Sequence, residues 1–188
     1  MDIVVSDLVK KFGDNLVLDR FSATMERNGI TCIMGPSGCG KTTLLNIMMG
    51  LLHPDSGSVE GVPHLKSAVF QEDRLCEAFN AVSNVALVCG KKADKTQIKA
   101  HLESIGIDDF AKPVGEFSGG MKRRVAIVRA IMARSDIIFL DEPFKGLDEN
   151  TRDETIGYIK DHIGGRTVIM VTHNADEVKA LGGRLIEM

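Results

Sequence analysis

The run Gly35-Pro36-Ser37-Gly38-Cys39-Gly40-Lys41-Thr42 sets glycine, lysine and a hydroxyl at the spacing G-x-x-x-x-G-K-[ST]. Residues of these types can hold a chain of phosphates. Glycines let successive backbone N–H groups turn toward one anion, and a helix opening at the lysine adds potential that favours negative charge. Lys41 brings a mobile positive charge to the outer phosphates. Thr42, followed by Thr43, offers a hydroxyl to Mg²⁺, an ion that takes hard oxygen ligands. A second candidate group is Asp141-Glu142, directly after the apolar run Ile137-Ile138-Phe139-Leu140. Ligands of open α/β sheets gather at the carboxyl ends of strands, so these acids belong beside the phosphate loop. Asp141 suits metal coordination through water, and Glu142 suits positioning an attacking water.

These residues fit many nucleotide hydrolases. The class narrows at Phe117-Ser118-Gly119-Gly120-Met121, about twenty residues before Asp141. With this segment the chain resembles the ATP-binding-cassette (ABC) ATPases, and the resemblance covers nearly its whole length. The family signature Leu-Ser-Gly-Gly-Gln is matched at Ser118, Gly119 and Gly120, while Phe117 and Met121 depart from it. Taken singly, a Ser-Gly-Gly is a turn, His173 a core histidine and Phe12 a core ring. Their joint order carries the resemblance.

The resemblance implies a role for each matching residue. Gln71, after Val69-Phe70, is the glutamine of the loop that reaches the metal and senses a membrane partner. Asp148 stands in the D-loop, and His173 after Val171-Thr172 is the switch histidine that contacts the γ-phosphate. Phe12 takes the place of the aromatic that stacks on adenine; a base stacked on such a ring gains about 1–3 kcal/mol. The nucleotide contacts expected are Phe12, the whole run Gly35, Pro36, Ser37, Gly38, Cys39, Gly40, Lys41 and Thr42, then Thr43 and Gln71. Mg²⁺ falls to Thr42, Gln71 and, through water, Asp141; hydrolysis falls to Glu142 and His173. Ser118, Gly119 and Gly120 act on ATP bound by a second protomer, so a head-to-tail homodimer is implied. Alkylation of Cys39 is expected to block nucleotide by bulk.

The resemblance further implies an ATPase that powers transport through separate transmembrane permease subunits, peripheral on the inner, cytoplasmic face of the membrane. A narrower likeness lies in Val69-Phe70-Gln71-Glu72-Asp73-Arg74-Leu75, Asp141-Glu142-Pro143-Phe144 and Leu147-Asp148-x-x-Thr151-Arg152. These are similar to importer ATPases for nitrate, sulfonates and taurine, which work with a solute-binding protein. A soluble cassette scaffold or assembly factor is the alternative, with the same fold and the same ATP chemistry.

Specific elements must position these residues. Ile30–Met34 reads as a strand entering the phosphate loop, and 41–51 as a helix with Leu44, Leu45, Ile47 and Met48 apolar. Ile137–Leu140 and Val168–Val171 are short, unalternating and apolar, as parallel strands buried on both faces are. A helix over about 149–163 lies between them. Ile3–Leu8, Leu16–Leu18 and Phe21–Met25 read as strands, with turns at 13–15 and 28–29. Ala68–Phe70 reads as a short strand, and residues 73–117 as a helical insertion. A helix opens at Ser118-Gly119-Gly120 and runs through Met132. The expected fold is α/β: a P-loop NTPase (RecA-like) core with a mainly parallel sheet, an N-terminal antiparallel β subdomain and a helical subdomain, in one domain spanning 1–188.

Bulk properties agree. A chain of 188 residues supports one sizeable core, and its formal net charge of -3 supplies no electrostatic footprint for nucleic acid. No apolar run reaches the roughly 18–20 residues that cross a bilayer, and the N-terminal residues show no export signal. Four scattered cysteines, with no Cys-x-x-Cys pair, read as free thiols of a reducing cytosol. His53, His64, His101 and His162 lack ligand spacing and read as structural. The charge run 91–95 reads as a solvated face.

Overall fold

The structure, a computed structural model, describes residues 1–90 and 93–188. Its strands are β1 (Ile3–Phe12), β2 (Asn15–Met25), β3 (Ile30–Met34), β4 (Ser56–Glu60), β5 (Lys66–Val69), β6 (Ile137–Asp141), β7 (Thr167–Thr172) and β8 (Arg184–Glu187). Its helices are α1 (Lys41–Met49), α2 (Ala81–Cys89), α3 (Lys95–Glu103), α4 (Gly119–Met132), α5 (Glu149–His162) and α6 (Ala175–Leu181). An antiparallel sheet has the order β2-β1-β4, and a parallel sheet the order β5-β6-β7-β3-β8.

The parallel sheet is buried on both faces, which explains its apolar runs. On β6, Ile137 and Phe139 face one core with Ile33, Ile169, the α1 leucines and the antiparallel sheet. Ile138 and Leu140 face a second core with Met170 and the apolar sides of α2, α4 and α5. A strand wedged between two dry layers has no place for a polar side chain until its last residue. There Asp141 stands, at the carboxyl edge, where the functional loops begin.

Several elements differ from the sequence reading. The helix after the phosphate loop stops at Met49, because Gly50 takes a left-handed conformation (φ 78°) and its N–H turns back to the carbonyls of α1. The two expected segments 16–18 and 21–25 are one strand, β2. Its alternation breaks at a bulge where Leu8 and Lys10 pair with Phe21 and Leu18, and Arg20 adopts φ 51°. The strand expected at 68–70 is shifted to Lys66–Val69, so Phe70 already belongs to the loop. β4, α6 and β8 were not expected. Lys91 and Lys92 of the charge run lie outside the described residues; Asp94 caps α3, accepting from the N–H groups of Thr96 and Gln97, and Lys95 is exposed.

Within 73–117, α2 and α3 pack against α4. Ser118 caps α4 by accepting from the Met121 N–H at 3.2 Å, and Phe117 before it is buried in the core. The unusual phenylalanine is therefore a packing residue. His101 of α3 meets the Tyr158 hydroxyl of α5 at 2.9 Å, while His162 Nδ1 donates to the Tyr158 carbonyl within α5 and its ring lies edge-on to His101, so both histidines stand at the contact of the two helices. All four cysteines are free thiols.

Asn84 of α2 is fully buried and ties down the irregular segment before it. Its Oδ1 accepts from the Cys76 N–H at 2.8 Å, and its Nδ2 donates to the carbonyls of Cys76 and Asn80 at 3.1 Å. Asn84→Ala leaves these buried groups short of partners. We expect a loss of about 2–4 kcal/mol in chemical denaturation; a change below about 0.5 kcal/mol contradicts the assigned role.

Candidate active site

Strands β6, β7 and β3 are neighbours and parallel, so their carboxyl ends deliver three loops to one edge. From β3 comes the phosphate loop, from β6 Asp141-Glu142, and from β7 Thr172-His173. A cleft of about 250 Å³ opens there, lined by Ser37, Gly38, Gly40, Lys41, Thr42 and Thr43, together with Gln71, Glu142 and Val17.

The loop conformation requires its glycines. Gly38 and Gly40 have φ of 85° and 103°, left-handed values that strain other residues. A Cβ on Gly35 would come within 2.7 Å of the Met188 carbonyl and 2.9 Å of Cys39 Sγ. Lys41 is nearly buried at 6% exposure, and its ammonium donates to the carbonyls of Gly35 (2.7 Å) and Pro36 (2.8 Å), with Cys39 Sγ at 3.7 Å. A phosphate entering the loop competes for donors that are already aimed at its centre.

Deeper in the cleft three side chains form a chain of hydrogen bonds. Gln71 Nε2 donates to Thr42 Oγ1 at 3.2 Å, and Thr42 Oγ1 donates to Asp141 Oδ1 at 3.2 Å. Burial pushes the Asp141 carboxyl above its ordinary pKa and the nearby Glu142 carboxylate adds to the rise, while hydrogen bonds from Thr42 and Gln71 oppose it. Among the described residues no ion pair is made to Asp141, and the Arg123 guanidinium only opposes the rise from a distance. A hydroxyl, an amide oxygen and a carboxylate make a hard donor set, fit for Mg²⁺ shared with a nucleotide. Among the described residues no three of His, Cys, Asp and Glu cluster as an all-protein metal site.

Glu142 has φ 47°, rare for a residue with a side chain, and its N–H donates to the Val171 carbonyl at 2.9 Å. Its carboxylate lies 3.5 Å from His173 Nδ1 and 3.5 Å from Lys145 Nζ. The turn carrying His173 is anchored below: the Thr172 hydroxyl donates to the buried Glu177 carboxylate and accepts from the Asn174 N–H. Burial raises the Glu177 pKa.

The remaining expected residues stand apart from the cleft. Ser118, Gly119 and Gly120 do not line it. Asp148 caps α5, accepting from both the N–H and the hydroxyl of Thr151, which hold its carboxyl below the ordinary value. Gly120 lies against Leu147, next to Asp148, so signature and D-loop adjoin. Phe12, at the end of β1, has an exposed ring with the Lys10 ammonium 5.5 Å from its centroid, and it is not part of the cleft wall.

Comparison with known proteins agrees with this geometry. The family model described as ABC transporter matches residues 18–145. The chain belongs to that family. It is an ATP-binding, ATP-hydrolysing subunit of the ABC type. The taurine import ATP-binding protein TauB of Roseobacter denitrificans is 37% identical over 192 residues, covering 94% of this chain and 72% of the relative. The bicarbonate transport ATP-binding protein CmpD of Synechocystis is 36% identical, covering 94% and 68%. The aliphatic sulfonates import ATP-binding protein SsuB 2 of Frankia alni is 37% identical, covering 98% and 76%. A solved dimeric ATP-binding cassette in a post-hydrolysis state, bound to ADP and Pi, superposes with a TM-score of 0.86 at 27% identity, covering 99% of this chain and 94% of that one. Among the described residues no helix is long and apolar enough to cross a membrane.

Sequence reasoning missed Val17, Lys145 and Glu177. Val17 carried no motif; its carbonyl and side chain close over Gly40, where a Cβ would meet them at 2.9 and 3.0 Å. Lys145 was legible as a cation three residues after Glu142. Glu177 was not, because its partner Thr172 is brought to it only by the turn between β7 and α6.

The sign of the Asp141 shift makes a prediction. Its folded pKa is raised above the unfolded one, so the folded state loses stability as pH rises through the folded value and the carboxyl ionises. Asp141→Asn should therefore melt at a higher temperature than the parent at neutral pH in nucleotide-free EDTA buffer. The gap should close in acid, where the parent's Asp141 is protonated. A lower melting temperature at neutral pH would contradict the assigned burden of this charge.

Proposed function

We propose that the chain is the motor of a bacterial-type importer, hydrolysing Mg²⁺-ATP at two sites of a homodimer beneath separate permease subunits. The observation that carries this reading is the division of the site. Lys41, Thr42, Gln71, Asp141, Glu142 and His173 converge at one sheet edge, while Ser118, Gly119 and Gly120 lie outside the cleft they are expected to serve. The signature then has a use only on ATP held by another copy. Mg²⁺-ATP brings to the cleft the phosphoric anhydride bond and a cation that balances its charge.

The chain's own groups divide the work. Lys41 and the loop N–H groups bind the outer phosphates. Thr42, Gln71 and Asp141 hold the metal's ligand shell. Glu142, oriented by its left-handed backbone and by His173, accepts a hydrogen bond from the water that attacks the γ-phosphorus. Phe12 offers its exposed face to adenine, and Asp148 faces the second protomer. We assign 1–188 as one cassette, with residues 73–117 as a helical unit.

Permease docking is supported by an apolar groove of about 340 Å³ beside the Gln71 loop. It is lined by Met49, Leu51, Ala68, Phe70, Val88 and Ala130, with Leu51 61% exposed. An exposed apolar patch of this kind marks a protein contact. Import follows the relatives, two of which are named for taurine and sulfonate import, while a solute-binding protein and a place on the inner membrane face rest on the family resemblance alone.

Lys41→Ala should weaken ATP binding by about 1.5–3 kcal/mol, the worth of hydrogen bonds from a charged donor, and abolish turnover. The test of transport is ATPase assay of the tagged chain pulled from its native membranes. Activity that Lys41→Ala abolishes, with a multi-span protein co-purifying, is the expected result. A chain recovered free of any membrane protein, yet still hydrolysing ATP, would leave the ATPase standing and overturn the transport reading.

A further inference from the structure

The segment between Gln71 and Asn80 has neither helix nor strand, yet it delivers Gln71 to the metal-binding hydroxyl. Irregular backbone that turns its carbonyls inward needs partners for them. Two arginines of α4 supply these partners. Arg123 Nη1 donates to the Phe70 carbonyl at 2.6 Å and Nη2 to the Gln71 carbonyl, while Nε faces Asp73 Oδ1 at 3.1 Å. Arg129 donates to the carbonyls of Asp73 at 2.8 Å and Arg74 at 2.7 Å. The Arg123 side chain is only 7% exposed, so its charge is kept by Asp73 and by these carbonyls.

Geometry makes this a demanding arrangement. A guanidinium is a rigid planar fork, able to serve a carboxylate and two successive carbonyls at once; an ammonium is a point charge on a flexible stem and cannot copy it. The same helix that carries the fork is capped by Ser118, the serine of the signature. From Ser118, the path runs along α4 to Arg123, through the Gln71 backbone to the Gln71 side chain, then to Thr42 and Asp141. Each polar link in it is 3.2 Å or shorter.

We propose that Arg123, assisted by Arg129, is a positioning residue that sets the Gln71 carboxamide over Thr42 and makes it move with the signature helix. This rests on the reading of the cleft as a Mg²⁺-ATP site. It adds a direct bond from the helix that serves the partner's nucleotide to the glutamine that serves its own metal. Engagement of Ser118 by the partner's ATP then shifts Gln71 by the same helix displacement, so each site reports on the other.

The bland alternative is a staple that merely stabilises the loop, and the test separates the two. ATP affinity is measured with Mg²⁺ and in EDTA for the full chain, Arg123→Lys, Gln71→Ala and the double variant, each with its melting temperature. Arg123→Lys should reduce the Mg²⁺-dependent gain in affinity about tenfold, the scale on which outer partners of metal ligands act. Affinity in EDTA should stay near that of the parent. Gln71→Ala should lose a similar factor, and the double variant no more than the larger single loss, because one acts through the other. Arg129→Lys should shift the gain in the same direction by less. An unchanged Mg²⁺ gain in Arg123→Lys, even with a lower melting temperature, would reduce Arg123 to a staple and overturn the inference. So would losses that multiply in the double variant, or an unaffected gain in Gln71→Ala. If the parent chain bound ATP with no Mg²⁺-dependent gain, the metal-site reading itself would fall, and the inference with it.

Discussion

Parallel strands release the chain at one common edge, and in this protein three adjacent strands do so side by side. β3 ends in the phosphate loop, β7 in His173 and β6 in Asp141-Glu142. Their register brings Met34 level with Thr172, and Asp141 level with Val171. Every distance that matters in the cleft depends on that alignment. It is maintained by two dry cores, one on each face of the sheet, which leave β6 and β7 no freedom to slide: a one-residue slip would bury Asp141 more deeply and expose an apolar neighbour.

A second constraint is electrostatic. The cleft gathers a buried carboxylate, Asp141, against a second carboxylate, Glu142, while Lys41 turns toward its own loop carbonyls and Lys145 and the His173 ring lie beside Glu142. Such a site is poised for a ligand that carries both phosphate and a divalent cation, because each relieves a strain the other does not. The left-handed backbone at Glu142 fits the same picture, as an unfavourable conformation kept where it aims a functional group.

Much of this was legible in the chain of letters. The phosphate loop is local in sequence, so its spacing carries its geometry. β6 and β7 announce themselves by unbroken apolar runs. What stayed hidden depends on distant partners. Residues 15–25 read as two strands because a bulge at Arg20 breaks the alternation. β8 is an edge strand with exposed Leu185, too polar and too short to signal burial. Arg123 and Arg129 carried no motif, and only the folded Gln71 loop shows what they hold. The signature and D-loop residues were placed by resemblance; the structure adds that they adjoin each other and lie outside the cleft.

The central claim is that one chain holds an incomplete site and that bound ATP completes it from a second copy. Light scattering on Glu142→Gln with Mg²⁺-ATP, compared with Mg²⁺-ADP, tests it most directly. The account predicts twice the 20.4 kDa chain mass with ATP and the single-chain mass with ADP. A monomer at saturating ATP, with binding verified in the same sample, would contradict it.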